Sequence, residues 1–60
     1  MSKEWYSVKE VAKELGLTEE TIRNYIRSGQ LVAHEFGNTY RIHQDDLQHF
    51  LRERRTRKDQ

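Results

Sequence analysis

The stretch from Tyr6 to Leu31, YSVKEVAKELGLTEETIRNYIRSGQL, contains two short amphipathic segments separated by three residues. In the first segment, Ser7 and Glu10 have the spacing of a capping box, in which each side chain accepts a hydrogen bond from the other residue's backbone N–H. The apolar positions that follow have helical spacing: Val8, Val11, Ala12 and Leu15. Gly16 comes next, where a left-handed C-cap favours a residue without Cβ. The pattern predicts a first helix at about 8–15.

The second segment has its own start and stop signals. Thr18 is a candidate N-cap, two acids follow it in the first turn, and Gly29 ends the pattern. The apolar positions between these signals are Ile22, Tyr25 and Ile26. The second helix is therefore predicted at about 19–28. A short turn containing glycine between two amphipathic helices is typical of the helix-turn-helix motif.

Beyond Gly29 the pattern changes to that of a β-hairpin. Two β-prone runs flank Gly37-Asn38 within residues 32–42, a spacing typical of a hairpin turn. A two-residue turn pairs Phe36 with Thr39, whereas a three-residue turn moves Phe36 beside Tyr40. We favour the two-residue turn, because it places Ala33 and Ile42 on a common core side and points Arg41 outward.

A third helix is predicted to open at Asp45 and Asp46. Its apolar positions, all assigned to the core, are Leu47, Phe50 and Leu51. The predicted fold class is mostly α with a β-hairpin: a small winged helix-turn-helix of three helices and a two-stranded wing. The domain is expected to span residues 1–52, and residues 53–60 are expected to form a charged, mobile C-terminal tail.

Composition excludes several classes of protein. The chain has 60 residues, of which 33% are hydrophobic, and it contains no Cys. So short a chain has too little material to enclose a deep catalytic pocket, and no disulfide or cysteine zinc site can reinforce it. His34, His43 and His49 lack the spacing of metal ligands. We expect no enzyme, no cofactor and no metal, and the absence of a long apolar run predicts no membrane association.

The second helix and the hairpin carry an excess of positive charge. The net charge of +1 hides a basic middle, since residues 21–44 carry three Arg against one Glu. On a helical wheel, the side of the second helix opposite Ile22 carries Glu20, Arg23, Asn24 and Arg27. Arg and Asn are the residues that pair with guanine and adenine edges in the major groove. An ordinary solvated helix surface with a Glu19–Arg23 ion pair is the alternative interpretation.

These motifs resemble one known family. The stretch Tyr6–Leu31, the run GNTYRI at 37–42 and the run DDLQHFL at 45–51 are similar to excisionase-type winged helix-turn-helix proteins, which are related to the DNA-binding domains of MerR-type regulators. The resemblance implies that the second helix enters the major groove and that the wing reaches the flanking backbone or minor groove. The predicted DNA contacts are Thr18, Glu19, Glu20, Thr21, Arg23, Asn24 and Arg27 of the helix, and Asn38, Thr39 and Arg41 of the wing.

The family implies a sequence-specific DNA-binding protein of bacterial or phage type, located in the cytoplasm at the nucleoid. It would act in DNA recombination as an excisionase-like directionality factor on a mobile element, with an integrase or recombinase as partner. Transcription regulation, a protein-interaction adaptor and the DNA-binding module of a larger recombinase are the alternatives. The short segment after Leu51 lacks an apolar heptad, so we expect a monomer that binds DNA beside other copies of itself. Trp5 is assigned to the end of the core, with a contact to a partner as the alternative. Phe36 is assigned to a lid over the core, with a wedge in the minor groove as the alternative.

Overall fold

Three helices and three short strands form the part of the chain that the computed structural model describes, residues 3–54. Their order is β1 (Trp5–Ser7), α1 (Val8–Leu15), α2 (Glu19–Arg27), β2 (His34–Phe36), β3 (Thr39–His43) and α3 (Gln44–Glu53). The predicted small winged helix-turn-helix is confirmed: α1 and α2 form the motif, and the β2–β3 hairpin forms the wing.

The boundaries of α1 and α2 follow from their caps. The backbone N–H of Glu10 donates to Ser7 Oγ at 3.1 Å, and the N–H of Ser7 donates to Glu10 Oε1 at 2.9 Å, so the capping box is present. Gly16 closes α1 with φ of 70°, in the left-handed region. Thr18 caps α2 by accepting the N–H of Thr21 at 3.1 Å. The turn between the helices is therefore fixed at both of its ends.

The wing has the favoured two-residue turn. Phe36 pairs with Thr39, Glu35 with Tyr40 and His34 with Arg41. Gly37 has φ of 62°, whereas Asn38, the other central residue of the turn, does not have a positive φ. This combination fits a type II′ turn, which has glycine at its first central position. The strands begin at residue 34, two residues later than the predicted wing, and β3 continues one residue further, to His43.

The sheet has a third strand that we did not predict. Residues Trp5–Ser7 form β1, which pairs antiparallel with β3, so the strand order is β1-β3-β2 and the wing's second strand is central. Tyr6 pairs with Ile42, which is fully buried, and Tyr6 itself packs against the core. Trp5 points to the opposite face of the sheet and is 38% exposed, so its assignment to the end of the core was wrong.

The core lies between the three helices and one face of the sheet. Its buried side chains are Val8, Val11, Ala12, Ile22, Leu31, Ile42, Leu47 and Phe50. Two predictions about core membership were wrong. Leu51 is 37% exposed, because Leu47 and Phe50 already point inward and Leu51 lies to one side of them. Phe36 is 52% exposed, because in the observed register it lies on the outer face of the sheet.

The third helix extends slightly beyond the predicted end of the domain. It is capped by His43, whose Nδ1 accepts the N–H of Asp45 at 3.1 Å, and it continues to Glu53. Arg54 then packs on the aromatic rings of Tyr25 and Phe50. The remainder of the predicted tail, residues 55–60, lies outside the described residues, and its mobility stays a prediction.

Candidate nucleic-acid interface

The exposed face of α2 is the one that the helical wheel predicts. Ile22 is fully buried, Tyr25 and Ile26 are half-buried against the core, and Asn24 and Arg27 are exposed. The side of α2 opposite Ile22 is therefore open to solvent.

The charges on this face neutralise one another in the free protein. Arg23 Nη2 lies 3.4 Å from Glu19 Oε1, one turn earlier, and Arg27 Nη1 lies 3.8 Å from Glu20 Oε2. Arg27 also donates to Asn24 Oδ1 at 2.8 Å. All of these side chains are substantially exposed, so the pairs contribute little to stability, about 0.2–1 kcal/mol each. They hold both guanidinium groups in place without burying them, which leaves the groups available to another acceptor.

Two predicted contacts on α2 have local partners. The hydroxyl groups of Thr18 and Thr21 lie 2.9 Å apart, and the Thr18 hydroxyl accepts the N–H of Thr21. The first turn of α2 is thus closed by the side chain that precedes it. Thr18 has a structural role as the N-cap, and its predicted contact with DNA stays a prediction.

An open cleft of about 310 Å³ joins α2 to the wing. Glu19 and Arg23 line one side of it, residues 38–40 at the tip of the wing line the other, and the first turn of α1 closes the end. The predicted contacts Asn38 and Thr39 therefore lie across the cleft from Arg23. The structure brings the start of α2 and the tip of the wing to one surface.

Sequence reasoning missed Lys9 and Tyr40, which also line this cleft. Lys9 is exposed at the first turn of α1, and it adds positive charge beside the self-neutralised face of α2. The available signal was its position on the wheel of α1, outside the apolar stripe and two residues after the capping residue Ser7. Tyr40 is half-buried and packs against the core as well as lining the cleft.

Arg41 lies on the other face of the hairpin. Successive side chains of a strand alternate between faces, so Tyr40 turns toward the cleft and Arg41 turns away from it. Arg41 borders a groove of about 310 Å³ with Trp5 and Phe36, and it forms no ion pair with any residue that the structure describes. The wing therefore offers an unneutralised cation on a surface separate from the cleft.

The groove belongs to an exposed aromatic cluster on the outer face of the sheet. The Trp5 ring meets those of His34, Phe36 and His43 edge to face, with centroids 5.3, 5.8 and 4.8 Å apart. These contacts explain why Trp5 and Phe36 stay on the surface: each covers part of the other. The cluster could not be predicted from the sequence, because β1, which carries Trp5, was not predicted.

Between residues 3 and 54, no three or more His, Asp or Glu side chains come together in a group that could hold a metal ion. Over the same residues, no helix is both long enough and apolar enough to cross a membrane. Ser7 and Glu10 are occupied by the capping box, and the Lys3 ammonium beside Glu10 and the Ser7 backbone N–H lower the pKa of that carboxyl.

The geometry defines a class of protein. A capped pair of helices, a second helix with Arg and Asn on its exposed face, and a hairpin beside it form a winged helix-turn-helix, a DNA-binding architecture. The comparison with protein families agrees: a family described as "Helix-turn-helix domain" matches residues 5–55. The chain belongs to this family of helix-turn-helix domains. Searches of curated proteins and of solved structures each gave no match.

Proposed function

We propose that the protein binds double-stranded DNA sequence-specifically, with α2 in the major groove and the wing on the flanking backbone or minor groove. The observation that carries this proposal is the exposed face of α2, where Arg23, Asn24 and Arg27 lie together. Arg pairs in a bidentate manner with guanine and Asn with adenine, and each good pair contributes about 1–3 kcal/mol of discrimination.

The Glu–Arg pairs of α2 suggest how the helix discriminates. Off DNA, Glu19 holds Arg23 and Glu20 lies near Arg27, so neither Arg is a free phosphate-binding charge. On the correct sequence, guanine acceptors replace the carboxylates, and the released carboxylates can accept from cytosine amino groups. On other sequences the acids face phosphates and disfavour binding. The paired acids therefore lower non-specific affinity more than specific affinity.

Arg41 and Lys9 have a different role in this proposal. Neither forms an ion pair within the described residues, and neither lies on the base-reading face of α2. Unpaired cations at the edges of an interface neutralise phosphates, which adds affinity without sequence information. We therefore assign both residues to contacts with the phosphate backbone of DNA.

The resemblance to excisionase-type proteins supports a role as a recombination directionality factor, without a catalytic step of its own. In that role the protein would bind bacterial or phage DNA beside an attachment site and assist an integrase. A small transcriptional regulator is the alternative, since the same interface serves both. The position of the gene beside an integrase gene would favour the first role.

One domain reads little DNA. The nine residues of α2 span about 13.5 Å, close to four base pairs at about 3.4 Å each. Useful specificity then requires several copies side by side, helped by neighbour contacts or by bent DNA between them. We propose that monomers bind cooperatively to closely spaced direct repeats. Light scattering of the free protein and footprinting on its site test this, and a dimer that protects an inverted repeat would contradict it.

Selection of bound sequences from random duplex DNA is the test of the proposed function. An enriched motif of a few base pairs supports it. An absence of enrichment would contradict it and would favour a protein-interaction adaptor, with the groove at Trp5 and Phe36 as its docking surface.

Variants then separate base reading from anchoring. Arg23→Ala should cost about 1–3 kcal/mol on the selected site and relax the preference at one position. Arg41→Ala should weaken binding to all sequences alike and reduce the salt slope by about one. Arg52→Ala, an exposed charge on α3, is the matched control. Equal losses on selected and random DNA for both Arg23→Ala and Arg41→Ala would refute the division of roles.

A further inference from the structure

Arg54 follows α3 directly and stacks on two aromatic rings of the domain. Its guanidinium carbon lies 4.7 Å from the ring centroid of Tyr25, on α2, and 4.7 Å from that of Phe50, on α3. The two rings are themselves in contact, with centroids 5.2 Å apart and planes inclined at 58°. The guanidinium therefore packs across the contact between α2 and α3, which is called the junction below.

A chain of hydrogen bonds extends this junction to the end of α2. Arg54 donates to Gln30 Oε1, and the amide of Gln30 donates to Ser28 Oγ at 2.9 Å. Ser28 Oγ in turn donates to the carbonyl of Tyr25 at 3.1 Å. The same carbonyl accepts the backbone N–H groups of Gln30 and Leu31, at 2.9 and 3.1 Å. Arg54 is thus connected to the backbone of the last turn of α2.

The C-terminal half of α2 has no fully buried side chain of its own to fix its orientation. The only fully buried side chain of α2 is Ile22, in its first half, so the rotation of the second half is set by the half-buried Tyr25 and Ile26. Tyr25 lies between Asn24 and Arg27, two of the proposed base contacts. A small rotation at Tyr25 would move both of them away from the bases.

The chemistry of the junction requires arginine. Within residues 3–54, Arg54 has no acidic partner, so its contribution is stacking and directed donation and not an ion pair. A guanidinium is planar, stacks on aromatic faces and donates in fixed directions, whereas an ammonium is a compact, strongly hydrated point charge. Lysine would keep the charge but lose both features.

We propose that Arg54 is a positioning residue of the recognition helix: through Tyr25 and Gln30 it sets the orientation of Asn24 and Arg27. The part of this inference that concerns base reading rests on the proposed function. The contact between Arg54 and the end of α2 does not depend on DNA, so the two can fail separately.

The test compares Arg54→Ala, Arg54→Lys and Gln30→Ala with Arg52→Ala, which removes the same charge two residues earlier on α3. Affinities are measured on the selected site and on random duplex DNA over a series of salt concentrations. We expect Arg54→Ala and Arg54→Lys to lose about tenfold or more on the selected site, close to the loss of one bidentate base contact. Binding to random DNA and the salt slope should stay as in wild type. Gln30→Ala should give a smaller loss of the same kind, and Arg52→Ala none.

Two results on DNA would overturn the inference. If Arg54→Lys binds like wild type, the charge alone matters. If Arg54→Ala lowers affinity for all sequences and reduces the salt slope by about one, Arg54 is a phosphate contact. Gln30→Ala leaves every charge in place, so it serves as the test if Arg54→Ala does not fold. If both Gln30→Ala and Arg54→Lys keep the wild-type preference for the selected site over random DNA, the inference is wrong.

Amide hydrogen exchange of the free protein separates the inference from the proposed function. Arg54→Ala or Arg54→Lys should speed exchange at the N–H groups of Gln30 and Leu31, while the N–H groups of α1 stay protected. If this occurs but wild type selects no DNA sequence, the positioning contact stands and the proposed function is wrong. If wild type selects a sequence but exchange and preference are unchanged in both variants, the inference is wrong and the proposed function stands.

Discussion

Replacing Ile22 by alanine tests the packing on which the orientation of α2 depends. Ile22 is fully buried, and truncation removes three carbon atoms, worth about 2.4 kcal/mol at about 0.8 kcal/mol each before any cavity is counted. The cavity brings such losses into a range of about 2–5 kcal/mol. A chain of 60 residues has a total stability of about 3–9 kcal/mol, so this single change removes a large share of it.

Thermal denaturation followed by circular dichroism measures the effect. For so small a domain, about 8 °C is lost per kcal/mol, so Ile22→Ala should lower Tm by about 20 °C or abolish the cooperative transition. Leu51→Ala removes the same number of carbon atoms from a side chain that is 37% exposed, and it should cost below about 1 kcal/mol. Equal losses in the two variants, or a near-wild-type melt for Ile22→Ala, would refute the assignment of the core.

Three further predictions concern the caps that fix α1. Ser7→Ala removes the acceptor for the N–H of Glu10 and should cost about 1 kcal/mol in a denaturant titration, and an unchanged midpoint would show that the capping box is not stabilising. Gly16→Ala meets no atom within 4 Å, so its cost should be that of φ at +70° alone, about 1–2 kcal/mol, and a stabilised variant would argue against the left-handed cap. Glu10 has a lowered pKa, first because of the Lys3 hydrogen bond and then because of the Ser7 N–H. Its contribution is therefore present above the ordinary value of 4.5 and is lost as the pH falls through the lower folded value, so Glu10→Gln should flatten the acid side of the stability–pH curve; a curve that keeps the wild-type slope would contradict this.

Local signals predicted the helix-turn-helix in detail. Capping residues, glycine at left-handed positions and apolar spacing all act within one or two helical turns, so the bounds of α1 and the exposed face of α2 could be derived from the sequence. The register of the wing could be derived as well, because only one register gives Ala33 and Ile42 a common side. These features require no knowledge of distant partners.

Long-range contacts account for the errors. Trp5–Ser7 is too short a run to show the alternation of a strand, and it becomes β1 because β3, more than thirty residues later, offers an unpaired edge. The core assignment of Trp5 and Phe36 rests on the tendency of aromatic residues in a small domain to pack inside. In the structure the third strand brings Trp5 beside Phe36 on the outer face of the sheet, where the two rings pack against each other. Leu51 was placed inside by helical spacing, which does not show how wide the buried stripe is.

The site was predicted in part for the same reasons. The exposed residues of α2 follow from the wheel, but Lys9 joins them only because the fold brings the start of α1 beside the wing tip. The separation of Arg41 from the cleft follows from strand alternation and could have been derived. Which of these side chains contacts DNA stays a prediction.

Ser7 has consequences for how such a domain tolerates changes in length. It is both the last residue of β1, paired with Arg41, and the residue that caps α1. An insertion or deletion between Trp5 and Val8 would therefore shift the sheet and the first helix together, and α2 and the wing would move with them. Additional residues at Gly37 and Asn38 would only lengthen the tip of the wing. Among relatives of this chain, length variation should accumulate at the tip of the wing and be rare at the junction of β1 and α1.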